Sequence, residues 1–110
     1  MAPLLIRALA LVACAATLGI GEAQAQNPAA QRGLTFVRTN CARCHAIDKV
    51  SPSPLSAAPP FRTLHRRYPV DSLAEAMAEG IVTGHPSMPE FRLEADQISD
   101  VLAFLRTLEQ

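Results

Sequence analysis

Asn40-Cys41-Ala42-Arg43-Cys44-His45-Ala46, "NCARCHA", decides how this chain is read. Two cysteines stand two residues apart with a histidine directly behind them, and the chain's only other cysteine is Cys14. Three chemistries use such a cluster: a redox dithiol, part of a zinc site, or a covalent anchor for haem.

The flanking sequence weighs them. A redox C-x-x-C sits beside a βαβ pattern, and its first cysteine opens a helix. Here the motif follows a helical segment, and no period-two strand surrounds it. Structural zinc takes four ligands and catalytic zinc three plus water. Cys41 and Cys44 give two, while His65 and His85 lie far apart and His45 crowds its own neighbour. The haem anchor uses every part. Two thiols add across the two vinyl groups of one porphyrin, a two-residue gap spans that separation, and His45 is carried to the iron.

The N-terminus supports export. Arg7 precedes an uncharged, mostly apolar run from Ala8 to Ile20, and Ala23-Gln24-Ala25 follows as a small-residue cleavage signal. Residues 1–25 are thus expected to be a secretory signal peptide, and 26–110 one domain in the periplasm, where c-type haem is attached. The apolar run is shorter than the roughly 20 residues that span a bilayer. Leu11-Val12-Ala13-Cys14 has the local look of a lipid-attachment box. Arg7 stands too close before it, and the apolar run continues past it. Cleavage removes Arg7 and Glu22, so ten basic and ten acidic residues become nine of each. That balance argues against a nucleic-acid binder or a polybasic membrane protein. A side-chain core alone is marginal at this size, and a large flat cofactor is one way to add buried area.

The elements are helical. Asn27-Pro28 reads as N-cap and first helical residue of a helix running to about Thr39, with Leu34, Val37 and Phe36 inward. KVSPSPLSAAPP, Lys49 to Pro60, is a loop by composition. A helical turn is expected at Phe61 to Arg67. A capping box at Ser72-x-x-Glu75 should open a helix ending near Gly80. TGHPSMPEF is an extended loop. Ile98, Val101, Leu102, Leu105 and Leu108 form one apolar stripe on a helix from Glu94 to Leu108. The expected fold class is all-α: three to four helices, with long loops wrapped around one haem.

A second axial ligand has four candidates. Met77 lies on a helical apolar stripe, where packing is its natural job. His65 sits in the basic stretch RTLHRRY. His85 and Met88 share one proline-flanked loop, and Met88 has no obvious packing role there; His85 is its rival. Arg62, Arg66, Arg67 and Tyr68 are candidates for the haem carboxylates, or an ordinary solvated basic turn.

With these features assembled, the chain resembles a class I monohaem cytochrome c. The resemblance rests on C41-A-R-C44-H45, the loop G84-H-P-S-M88-P-E-F91 and the C-terminal helix with Phe104, and it covers essentially all of residues 26–110. It implies first and last helices that cross, with Gly33 packed against Phe104. It implies that the carbonyl of Pro59, in A58-P-P-F61, holds the ring N–H of His45. Only 42 residues separate His45 from Met88, which is short for the family and implies a reduced covering loop. The resulting expectation is a monomeric exported carrier with iron in one covalent haem c, ligated by His45 and Met88. It docks transiently at the haem edge on other redox proteins or an oxidoreductase complex. A gas binder with an open axial site and a haem subunit of a fixed complex are the other classes. No catalytic constellation, nucleic-acid site or membrane span in the mature chain is expected.

Overall fold

A computed structural model describes residues 27–81 and 87–109. The expected signal peptide and His85 lie outside the described residues. Three α-helices carry the fold: α1 Pro28–Asn40, α2 Leu73–Glu79 and α3 Ala95–Arg106. Two 3₁₀ turns, Phe61–Arg66 and Val70–Ser72, lie between α1 and α2. Among the described residues there is no β-strand.

α1 starts where the sequence predicts. The Asn27 side chain accepts from the Ala29 N–H at 3.0 Å, and Pro28 occupies the first turn, where its missing N–H costs nothing. α1 crosses α3, and Gly33 sets the approach. A Cβ on Gly33 would overlap the Asp100 carbonyl oxygen and lie 2.9 Å from the Phe104 Cβ. Only a residue without a side chain permits this separation. Beside the contact, Arg32 clasps the Asp100 carboxylate through two parallel bonds of 2.8 Å. Val37 is the most deeply buried large side chain, at 1% exposure, and packs with Val101, Leu102, Phe104, Leu105 and Leu108.

α2 departs from expectation at its start. Ser72 makes no side-chain cap bond. Its backbone is already helical, and its N–H donates to the Pro69 carbonyl, so it continues the preceding 3₁₀ turn. A capping side chain needs an extended backbone at that position, so the Ser72–Glu75 box does not form. The C-terminus of α2 behaves as read, with Gly80 at φ 111°. α3 ends at Arg106, two residues before the predicted limit. The Leu108 N–H bonds to the Leu105 carbonyl in a tighter turn that still buries Leu108.

Candidate functional site

The C-x-x-C-H segment forms one turn beyond α1. The N–H groups of Cys41 and Ala42 both reach back to the Val37 carbonyl, at 2.8 and 3.0 Å. The Cys41 carbonyl then accepts from Cys44 and His45, at 3.1 and 2.9 Å. A residue spacing of three within such a turn brings both thiols to one side of the chain.

The loop that follows is folded back onto the motif. The Leu55 N–H donates to the Cys44 carbonyl at 3.1 Å, the Ala46 N–H to Ser53 Oγ at 3.0 Å, and the Phe61 N–H to the Ala46 carbonyl at 2.9 Å. Asp48 closes the near end by accepting from the Val50 and Ser51 N–H groups and from Ser51 Oγ. These bonds hold its carboxyl below the usual range. The return path brings the Pro59 carbonyl to 2.8 Å from His45 Nδ1. A carbonyl only accepts, so Nδ1 donates and Nε2 is left with its lone pair. The ring is also braced by Phe61, whose centroid lies 4.8 Å away at a 40° tilt. This aromatic brace escaped the sequence reading; its signal is an aromatic directly after the Pro59-Pro60 pair.

Cys41, Cys44 and His45 line a cavity of about 730 Å³. Met88 lines it too, half-buried, as does Met77. The Met88 loop is tied at its base by Ile81 N–H to the Phe91 carbonyl at 3.2 Å and Leu93 N–H to the Met77 carbonyl at 2.9 Å. The floor is apolar: Val37, Leu64, Leu93, Val101 and Leu105 are all buried. Arg67, Tyr68, Ser72 and Pro89 form part of an exposed rim.

The basic residues divide between two surfaces. Phe61, Leu64 and Arg67, spaced by three, line the large cavity. Arg62 and His65, also spaced by three, line a second, smaller one with Arg66. This is the three-residue period of a 3₁₀ turn. Of the residues considered for haem carboxylates, Arg67 and Tyr68 are at the large cavity and Arg62 and Arg66 are not.

The arrangement bears on the three chemistries. Burial pushes the Cys41 thiol up to about 11, the opposite of a redox dithiol's activated thiolate. Among the described residues, no three His, Cys, Asp or Glu side chains group to hold a metal ion. A haem fits. The cavity lies within the roughly 300–1,000 Å³ range of cofactor sites and has the mostly apolar lining that a porphyrin needs.

No curated protein and no solved structure matches the chain. Residues 30–109 match the family model for Cytochrome c, from the first turn of α1 to beyond α3. That span takes in the haem-attachment motif, the cavity and both crossing helices, and the chain belongs to the cytochrome c family as a haem c-binding electron-transfer protein.

Proposed function

We propose that residues 26–110, released from a signal peptide at 1–25, form a monomeric periplasmic electron carrier. Cys41 and Cys44 hold one haem c covalently, and His45 and Met88 ligate its iron. The observation that supports this best is a shared wall: Cys41, Cys44, His45 and Met88 line one largely apolar cavity.

When bound, the haem supplies a one-electron ferric–ferrous couple. The chain's residues prepare the site for it. The Pro59 carbonyl fixes the His45 tautomer and ring orientation and leaves the Nε2 lone pair free to ligate. Met88 offers a soft thioether, which favours the ferrous state relative to harder ligands. Val37, Leu64, Leu93, Val101 and Leu105 exclude water and lower the local dielectric. Arg67, the only charged side chain on the wall among the described residues, and Tyr68 would hold the haem carboxylates. The rim offers a small surface for brief docking on redox proteins or an oxidoreductase complex. Among the described residues no helix is long and apolar enough to cross a membrane.

The test is the visible spectrum of the purified ferric protein, then reduction and exposure to carbon monoxide. A weak far-red methionine-to-iron band and a reduced spectrum unmoved by carbon monoxide are expected. Loss of the band without carbon monoxide binding would transfer the ligand role to His85. Ready carbon monoxide binding would sink the closed-site carrier and favour a gas binder.

A further inference from the structure

The smaller concavity, about 210 Å³, is lined by Lys49, Arg62, His65, Arg66, Leu108 and Glu109. It shares no lining residue with the large cavity. The loop after Asp48, the 3₁₀ turn at 61–66 and the segment after α3 meet there. Three permanent cations and a histidine face one carboxylate.

The cations are short of partners. Arg32, Arg92 and Arg106 pair with Asp100, Glu90 and Asp71. The side chains of Lys49, His65 and Arg66 make no hydrogen bond or ion pair with another described residue. Asp48, the acid nearest in sequence to Lys49, accepts hydrogen bonds on both carboxylate oxygens within its own turn, and its charge also acts on Arg62. Arg62 is held in place by donating from Nη1 to the Ser51 carbonyl at 2.6 Å. Its Nε and second amino group remain available. Leu108 is buried and gives the concavity an apolar wall.

We infer that this concavity binds a small oxyanion of the phosphate class. Guanidinium groups match the geometry of such oxygens, and three lining cations against Glu109 and the nearby Asp48 leave a net positive charge to be met. The volume suits a tetrahedral oxyanion with a few waters and falls below the roughly 300 Å³ at which sites for larger organic ligands begin. The inference does not rest on how the haem is ligated.

The experiment is calorimetric titration of the intact holoprotein with inorganic phosphate at constant ionic strength, alongside amide chemical-shift mapping. Saturable one-to-one binding is expected, with shifts confined to Lys49, Arg62 to Arg66, Leu108 and Glu109. Each of Arg66→Gln and Lys49→Gln should weaken it about tenfold through loss of a charge-assisted donor. Arg38→Gln, an exposed cation on α1 outside the concavity, should leave it unchanged. Absence of saturation would overturn the site. So would an equal loss in Arg38→Gln, which would reduce the effect to overall charge. Acetate competing as well as phosphate would overturn the ligand class.

Discussion

His45 reaches the cavity from a segment whose backbone groups are closely paired, whereas Met88 stands on a loop tied across its base by two backbone bonds. Around His45, the carbonyls of Cys41, Cys44, Ala46 and Pro59 all accept hydrogen bonds, the last from the ring itself. Around Met88, the ties among the described residues include Ile81–Phe91 and Met77–Leu93. The difference follows from the side chains. An imidazole has a second nitrogen, so the protein can orient it with one polar bond. A thioether is at best a weak acceptor, so its place is set by packing and loop contour.

The largest expected effect tests the platform beneath both regions. Gly33→Ala forces a methyl into the Asp100 carbonyl, and α1 must move off α3. We expect a loss of about 3 kcal/mol or more in denaturant unfolding, with both ligand regions disturbed. Next comes the contrast between two methionines on one cavity. Met77 is buried at 6% exposure, so Met77→Ala should cost about 3 kcal/mol while leaving the far-red band in place. Met88→Ala should cost only about 1 kcal/mol in packing. It should nonetheless abolish the band and admit carbon monoxide. If Met77→Ala removes the band instead, the two roles are exchanged.

The smallest effect is a pH dependence. Burial raises the Cys41 thiol from 9.0 to about 11. A raised thiol pKa favours the protonated form in the fold. That contribution is fully present below pH 9 and declines as the pH rises toward 11, where the unfolded chain has already lost its proton. The unfolding midpoint of the haem-free chain should therefore fall across this window. A thioether has no proton to lose, so the covalently loaded chain should lack the decline. The same decline in both forms would mean that Cys41 is not attached.

Part of this molecule is set by local spacing. A two-residue gap with histidine behind it, an Asn-Pro helix start and an apolar stripe from Ile98 to Leu108 depend only on neighbours along the chain. The all-α class, the α1 start, the Gly80 stop and the family were legible from them. The Ser72 cap was not, because a 3₁₀ turn running into it withdrew the extended backbone that a cap requires. Nor was the division of the basic stretch from Arg62 to Arg67. Its residues are alike in type, and only the three-residue period of the folded turn sends Arg67 to the large cavity and Arg62 with His65 to the small one. The Phe61 brace likewise depends on where the proline-rich loop closes; the return of Pro59 to His45, a contact across 14 residues, is implied by the family resemblance and not by local spacing. Sequence by itself determined which chemistry the chain can carry, because the C-x-x-C-H motif is a matter of spacing along the chain. Tertiary structure decided which charges and rings surround that chemistry, because those meet only when distant segments fold onto one wall.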